Sequence, residues 1–312
     1  MIRFYNYASA KPKGILDVLR WKMEGGKSKW PKKSPSKFSD IPPRQIKGDK
    51  LRLSYVGHAS WLIQTGGRNI LFDPVWSDRA SPFKWIGPKR VNKPGIAFEN
   101  LPKIDVVLIS HGHYDHLDTR TLSKLEKNFS PLVIAPLGND IAIRRADSSI
   151  RVFTYDWNQT IILNSDVSVT LVPSLHWNAR GLFDYNKALW ASFVIRTPVG
   201  QLYIIGDSGY GSGSSFRRIR QLYSPIRAAI LPIGGYEPRW FTSDHHMNPE
   251  EAVQALIDCD AEVAFASHHG TFQLTNEAIN APEIALDKAK EAAKLTPGRF
   301  LVMRPGEARI VR

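Results

Sequence analysis

Residues 104–118 read IDVVLISHGHYDHLD, an apolar run followed at once by three histidines and one aspartate within six residues. The run at 104–109 has the length and composition of a buried strand. A loop that leaves a strand can turn several side chains toward one point, and imidazole with carboxylate suits zinc, iron or manganese. The alternative is a polar surface loop, but nine histidines in 312 residues would seldom cluster in this way. These residues therefore predict a metal centre at the end of a buried strand.

Three later residues can extend this centre, and each follows a predicted strand. They are His176, Asp207 and His268. The four side chains of the first motif cannot by themselves complete two metal sites. Because strand ends that meet on one rim are where sheet proteins build sites, we expect the three residues to join the motif there.

The pattern of strands and helices predicts two packed sheets with helices outside. Capping residues mark the start of two helices, Asp118 before one and Asn248 before another that begins at Pro249. A third helix is expected at 282–295. Apolar or alternating segments predict strands at residues 51–56, 60–64, 69–72, 104–109, 132–135, 167–171, 191–196, 201–205, 228–233 and 263–266.

The motif H-x-H-x-D-H, followed by a later histidine, aspartate and histidine, resembles the pattern of the metallo-β-lactamase superfamily. A closer resemblance is to the N-acylphosphatidylethanolamine-hydrolysing phospholipase D family, and it covers roughly residues 15–280. Its further motifs are YVGHAS at 55–60, LFDP at 71–74, RASP at 79–82, GPKR at 87–90, HW at 176–177, LW at 189–190, GDSGY at 206–210, NPEEA at 248–252 and HHGTF at 268–272.

This resemblance implies an α/β (α+β) fold, a four-layer αββα sandwich over residues 51–312. It also implies two transition-metal ions, for which zinc is the first expectation and iron or manganese the alternatives. One ion would be bound by His111, His113 and His176, the other by Asp115, His116 and His268, and Asp207 would bridge them.

The resemblance assigns supporting and substrate-binding roles to residues around these ligands. Asp73 resembles the superfamily's aspartate that fixes a ligand histidine, although it can also serve the turn that follows it. His58 is expected beside the ligands. Trp177, Tyr236 and Phe272 are candidates for contacting an acyl chain, and core packing explains each of them at least as well.

The predicted function is that of a dinuclear metal-dependent hydrolase. Asp115, Asp207 and His246 are the candidate catalytic residues, with His246 as a substrate contact or proton donor; helix capping or packing is its alternative role. The resemblance implies a phospholipase D-type phosphodiesterase acting on N-acylphosphatidylethanolamine-like lipids through a metal-bridging hydroxide. A lactonase or a phosphoesterase of soluble metabolites is the alternative, and a nuclease is the less favoured one, since this superfamily hosts several activities.

Positive charge is concentrated at the beginning of the chain. The formal net charge is +13, and residues 1–50 contribute +9 of it. Residues 15–23 have helical apolar spacing, and the helix can dock on the body or touch a membrane surface. We therefore divide the chain into a basic N-terminal arm, 1–50, and a hydrolase domain, 51–312. Because every predicted ligand lies in the second part, the metal centre is not expected to need the arm directly.

The composition of the chain limits which binding partners and which cellular compartment are expected. A chain that is 43% hydrophobic and 23% charged is globular in composition, and no apolar run is long enough for a transmembrane helix. One cysteine, Cys259, and no secretory signal in residues 1–10 favour the cytoplasm. We expect a phospholipid or small phosphoester substrate, with peripheral contact of the arm on the inner membrane face as one possibility and a solvated tail as the other. A nucleic-acid partner is not expected, and no oligomeric state is predicted.

Overall fold

The computed structural model describes residues 3–6, 13–181 and 183–311, so most of residues 1–10 lie outside it. The fourteen strands of the described chain are β1 (Leu51–Gly57), β2 (Ser60–Thr65), β3 (Arg68–Phe72), β4 (Val106–Leu108), β5 (Leu132–Pro136), β6 (Val152–Tyr155), β7 (Thr160–Ile162), β8 (Ser168–Val172), β9 (Ser192–Thr197), β10 (Gly200–Ile204), β11 (Ile226–Pro232), β12 (Ala261–Ser267), β13 (Phe300–Leu301) and β14 (Ala308–Val311). Among the described residues, helices separate some of these strands, whereas β1–β3 and β6–β10 follow one another directly.

The strands form two mixed sheets of seven strands each. The first has the order β14-β1-β2-β3-β4-β5-β6, and the second the order β13-β12-β11-β10-β9-β8-β7. The inner faces of the two sheets bury a shared core, in which Trp61 and Phe72 of the first sheet lie with Phe193 and Phe265 of the second. Phe72 and Phe193 meet edge to face, with ring centroids 6.0 Å apart.

Helices cover the outer faces of both sheets. The helices in the described chain are α1 (Ile15–Glu24), α2 (Thr119–Phe129), α3 (Asp140–Ala146), α4 (Ser214–Tyr223), α5 (Arg239–Thr242), α6 (Pro249–Cys259) and α7 (Ala281–Ala292), with a 3-10 turn at Phe98–Asn100. Leu122 and Leu125 of α2 pack on the first sheet, while Phe216 of α4 and Leu256 of α6 pack on the second. The predicted four-layer αββα sandwich is therefore confirmed.

Capping residues begin two helices where the sequence predicts them. The Asp118 carboxylate accepts hydrogen bonds from the backbone N–H groups of Arg120 and Thr121. Asn248 accepts from the N–H of Glu251, whose carboxylate in turn accepts from the N–H of Asn248. Since α2 follows the motif directly, its cap fixes where the motif loop ends.

The arm packs on the body over its described residues. Trp21 of α1 stacks on Phe241, with ring centroids 4.9 Å apart, and the Trp30 indole donates to the carbonyl of Glu277. Residues 25–50 continue without a helix or strand. Among the residues that the structure describes, no helix combines the length and apolarity needed to cross a bilayer.

Candidate metal centre

The predicted ligands come from the ends of strands in both sheets. The motif follows β4 in the first sheet, while His176 follows β8, Asp207 follows β10 and His268 follows β12 in the second. His58, at the end of β1, links the sheets because its carbonyl accepts from the N–H of His268, 2.8 Å away. The strand ends of two packed sheets thus bring together residues that are far apart in sequence.

Three residues at the site have a left-handed backbone, which side chains other than glycine seldom adopt. These are His58, Asp73 and His268, with φ angles of 56°, 41° and 58°. Such conformations cost free energy and persist only where the surrounding structure enforces them. Their occurrence together marks this rim as a functional site.

A first group of ligand atoms is formed by His111, His113, His176 and Asp207. Nε2 of His111 lies 2.8 Å from Nδ1 of His113, and Nε2 of His176 lies 3.2 Å from the same atom. Oδ2 of Asp207 lies 3.8 Å from Nε2 of His111 and 3.6 Å from Nε2 of His176. Three imidazoles and one carboxylate therefore face a single point, as a transition-metal site requires.

A second group contains Asp115, His116, His268 and also His58. Nε2 of His116 and Nε2 of His268 each lie 3.3 Å from Oδ2 of Asp115. Nε2 of His58 lies 2.8 Å from the same oxygen. The sequence places His58 beside the ligands, and the structure brings its ring nitrogen to the ligand atoms themselves.

Asp207 lies between the two groups. Its Oδ2 is 3.2 Å from Nε2 of His116, and its Oδ1 is 3.2 Å from Nε2 of His268, so the carboxylate that faces the first group also faces the second. This is the position that the predicted bridging role requires. His246 approaches from the side, with Nδ1 4.0 Å from Oδ2 of Asp207 and a side chain that is partly exposed.

Hydrogen bonds fix which nitrogen several histidines present to the centre. Nδ1 of His116 lies 2.7 Å from Oδ2 of Asp73, and Nδ1 of His111 lies 2.9 Å from the Ser110 hydroxyl. Asp73 also accepts from that hydroxyl and from the backbone N–H of Ser110. Nδ1 of His176 donates to the backbone carbonyl of His245, 3.0 Å away. In each case the opposite nitrogen, Nε2, is left to bind an ion.

Buried polar atoms at the centre lack hydrogen-bond partners among the described residues. They include Nε2 of His116 and Oδ1 of Asp207. A buried donor or acceptor without a partner is costly, whereas coordination to an ion would satisfy it. The donor set of imidazole nitrogens and carboxylate oxygens therefore fits transition-metal ions.

The buried carboxylates of the cluster favour positive charge on the groups around them. Burial alone would raise the pKa of Asp207, but the charges of His268, His116 and His246 outweigh it and hold that pKa well below its usual value. Burial likewise opposes protonation of His116, yet Asp207, Asp115 and Asp73 raise its pKa well above normal. Protonated histidines thus balance the negative charge of the buried carboxylates, and bound metal cations can balance that charge instead.

The histidines of the first group favour the neutral form that binds metals. Burial, helped by the neighbouring histidines, lowers the pKa of His111 well below its usual value. Burial also lowers the pKa of His113 to about 4. Because a metal ligand must offer a free lone pair, these shifts prepare the two rings for coordination.

The three predicted substrate-binding aromatics differ in their surroundings. Trp177 is half-buried and meets His113 edge to face, with ring centroids 4.3 Å apart, so it borders the centre. Tyr236 is buried. Phe272 is buried against Val75 and Ala80 and contacts the His58 ring. Packing, the alternative role considered for each, describes Phe272 better than a substrate contact does.

Several supporting contacts were missed from the sequence. Gly235 lies close to His268, because a Cβ added to Gly235 would be 3.1 Å from Cε1 of the His268 ring. The backbone N–H of Gly235 donates to the buried Glu277 carboxylate. Asn6 of the arm donates to the backbone carbonyl of His176, 2.8 Å away. The arm therefore contacts the backbone of a predicted ligand residue, a contact that the sequence did not predict. In the sequence, the Gly234-Gly235 pair was the one local signal of this close approach to His268.

Comparison with known proteins agrees with this geometry. A family model described as the beta-lactamase superfamily domain matches residues 68–269. An uncharacterized protein of Mycobacterium tuberculosis is 37% identical over 260 residues, which span 81% of this chain and 68% of that protein. The N-acyl-phosphatidylethanolamine-hydrolyzing phospholipase D 1 of Caenorhabditis elegans is 33% identical over 286 residues, 86% of this chain and 80% of the relative.

Solved structures share the fold at lower sequence identity. A metallo hydrolase from the hyperthermophilic archaeon Ignicoccus hospitalis superposes with a TM-score of 0.62 at 21% identity. The match covers 84% of this chain and 99% of that structure. The likeness in fold therefore extends across most of the sandwich.

Proposed function

Because the chain belongs to the metallo-β-lactamase superfamily and is a metal-dependent hydrolase of that fold, we propose that it is a phospholipase D-type phosphodiesterase acting on N-acylphosphatidylethanolamine-like lipids. It would cleave the distal phosphate ester and release phosphatidic acid and an N-acylethanolamine. One observation supports hydrolysis by a pair of metal ions: Asp207 lies between two groups of ligand atoms. The substrate class is taken from the nematode phospholipase D, to which the chain is similar over most of its length.

Two zinc ions are the proposed cofactors, with iron or manganese as alternatives. When bound, such a pair supplies a nucleophilic hydroxide at neutral pH and stabilises charge on the phosphoryl group. The ligands would be His111, His113 and His176 for one ion, Asp115, His116 and His268 for the other, and Asp207 for both.

The chain's own residues orient this arrangement and meet the substrate. His58 and Asp73 hold Asp115 and His116 in place through contacts of 2.8 and 2.7 Å. Burial lowers the pKa of His246 to about 3, so its imidazole is neutral at pH 7. A neutral imidazole is a weak acid, and we therefore assign His246 a hydrogen bond to the phosphoryl group in preference to protonation of the leaving oxygen.

The proposed site of action is the cytoplasmic face of a membrane. In α1, Leu16, Leu19 and Met23 are 81%, 49% and 80% exposed, while Trp21 holds the helix to the body. Lysines of the arm follow directly in the chain. An apolar helix face beside cationic side chains suits the interface of an anionic bilayer, which supports peripheral contact with the substrate's own membrane.

A product analysis in ¹⁸O-water tests the proposal. Metal-replete protein is given an N-acylated phosphatidylethanolamine in micelles, and in parallel a simple phosphodiester, a lactone and single-stranded RNA. We expect the lipid to be preferred, with ¹⁸O in phosphatidic acid and none in the N-acylethanolamine, because attack falls on phosphorus. Preference for the lactone or the simple phosphodiester would contradict the lipid assignment and indicate a soluble substrate. Asp207→Ala serves as the inactive control.

A further inference from the structure

A cavity of about 610 Å³ lies against the motif loop. It touches that loop through Tyr114, Leu117 and Asp118, but none of the residues grouped as metal ligands lines it. Small-molecule sites in proteins have volumes of about 300–1,000 Å³. The cavity is thus large enough for a ligand of its own, separate from the metal centre.

The cavity wall carries more positive than negative charge. Five of its residues are cationic, namely Arg79, Arg120, Arg145, Arg180 and Lys187. The side chains of Arg145 and Lys187 form no hydrogen bond or ion pair with any residue that the structure describes. Cations without partners inside a concave wall concentrate a positive potential there, which attracts anions.

The two acidic residues of the wall are already engaged elsewhere. The carboxylate of Asp118 caps α2 and also accepts from the Thr121 hydroxyl. The carboxylate of Asp184 accepts from the backbone N–H groups of Arg180 and Gly181. Neither carboxylate pairs with Arg145 or Lys187, so the charge of these two side chains is left for a ligand.

Three arginines of the wall are held in place by backbone carbonyls. Nη1 of Arg180 donates to Gly112 and Leu117, and its guanidinium lies 4.1 Å from the centroid of the Tyr114 ring. Arg79 and Arg120 donate to carbonyls of the segment from Pro82 to Gly87. Nε and Nη2 of Arg180 make no hydrogen bond within the described chain. These guanidinium groups are therefore fixed before a ligand arrives and retain unused donors.

Apolar side chains complete the wall beside the cations. Leu117, Ile141, Ala142 and Ala188 all line the cavity. A ligand that fits must therefore combine an anionic head with a carbon skeleton. A phosphomonoester meets both conditions, because it carries about 1.5 to 2 negative charges at pH 7 and offers three acceptor oxygens to forked guanidinium donors.

We propose that this cavity is an anion-binding site for a phosphomonoester, with Arg145, Arg180 and Lys187 on the phosphate and the apolar wall on the carbon skeleton. The phosphomonoester can come from a soluble phosphorylated metabolite or from the head of a phosphomonoester lipid. This site does not depend on which reaction the metal centre performs.

Isothermal titration of the full-length, metal-replete protein with glycerol phosphate tests the soluble source. Vesicles of phosphatidylcholine with and without phosphatidic acid test the lipid source. The variant Arg145→Gln/Lys187→Gln should weaken binding by about tenfold or more, because it removes two charged partners. The matched control, Arg151→Gln/Lys288→Gln, loses the same charge from exposed positions outside the cavity and should bind within about twofold of wild type.

Phosphate that binds the metal ions is distinguished by Asp207→Ala. Binding that persists in Asp207→Ala and is lost in the cavity variant supports the proposal, whichever source supplies the ligand. Binding lost in Asp207→Ala but retained in the cavity variant, equal weakening in the control, or no binding of either probe overturns it. Should the double variant be unstable by circular dichroism, Lys187→Gln alone gives the same comparison.

Discussion

At the scale of single residues, the partner of one ring nitrogen decides what the other can do. A neutral imidazole has one N–H and one free lone pair. Asp73 takes the N–H of His116 at Nδ1, and the carbonyl of His245 takes that of His176. Both rings are left with their Nε2 lone pairs directed at the centre. Metal affinity therefore depends on atoms that bind no ion themselves.

Asp73→Asn tests this dependence with almost no change of shape. An amide in place of Oδ2 would donate to Nδ1 of His116, which moves the ring proton to Nε2 and removes the lone pair from the centre. We expect metal affinity to fall about 10- to 100-fold, measured by competition with a chromophoric chelator. Asp166→Asn, at an exposed position, should bind metal like the wild type. Unchanged affinity in Asp73→Asn would show that Asp73 serves only its turn.

Asp207 and His246 should differ in what their loss does to hydrolysis. Asp207→Ala removes the carboxylate that faces both groups, so we expect loss of activity together with loss of metal. His246→Ala removes one partly exposed hydrogen-bonding side chain, for which we expect kcat/KM to fall about 10- to 100-fold with metal content unchanged. Steady-state kinetics with elemental analysis separates the two. A fully active His246→Ala protein would end the catalytic role of that residue.

The chemistry of residue types allowed the sequence to predict the clustered side chains, but not the groups that orient them. Three histidines and an aspartate within six residues are a local signal. The contact between Ser110 and His111 joins ordinary neighbours, and the carbonyl of His245 is a backbone atom common to every residue. Such contacts depend on the folded path of the chain and leave no mark in composition or spacing.

At the scale of elements, strongly patterned segments were predicted and weakly patterned ones were missed. Strands β1–β3 and β8–β12 alternate or are fully apolar, and the structure forms each of them. Strand β7 exposes two of its three residues, and β13 has only two residues, so neither offers a readable pattern. Helix α4 follows a Gly-Ser segment that predicts a loop, although Phe216 and Ile219 supply a buried face.

The arm acts as a structural element whose effect on the site can be measured. The Trp30 indole donates to the Glu277 carbonyl, and the Glu277 carboxylate holds Gly235 against His268. Trp30→Phe keeps an aromatic ring, although a smaller one, and loses this hydrogen bond, so the free energy of unfolding should fall by about 1 kcal/mol or more in urea titrations. Trp85→Phe, at an exposed ring, should change it by less than about 0.5 kcal/mol. Equal effects would mean that Trp30 does not brace the body.

At the scale of the whole molecule, metal ions should hold the two sheets together. The motif belongs to the first sheet, and His176, Asp207 and His268 belong to the second. We expect about two ions per chain by elemental analysis, zinc first. Chelation should lower the melting temperature, since each site stabilises the fold by about 2.7 kcal/mol when the free ion is at 100 times its Kd. A chain that purifies without metal and takes none up would exclude the dinuclear centre.

The distribution of charge leads to a prediction for the intact protein on a membrane. Lys27, Lys29, Lys32 and Lys33 are exposed and form no ion pair with a described residue, so changing all four to Gln leaves the packing of the arm untouched. Each basic residue near an anionic surface contributes about 1 kcal/mol, screened by salt. We therefore expect the variant to sediment less with anionic vesicles at low salt, and the difference to disappear at high salt.

A matched variant separates a local effect of the arm from one of net charge. Lys103, Lys127, Lys288 and Lys294 are also exposed, and changing them to Gln lowers the formal net charge by the same four units from the wild-type value of +13. If the arm is the contact, this control sediments like the wild type, because the cations beside the exposed face of α1 are intact. If both variants lose binding equally, attraction depends only on total charge. If neither the wild type nor either variant sediments, the arm is a structural strap, and a soluble substrate becomes the better assignment for the metal centre.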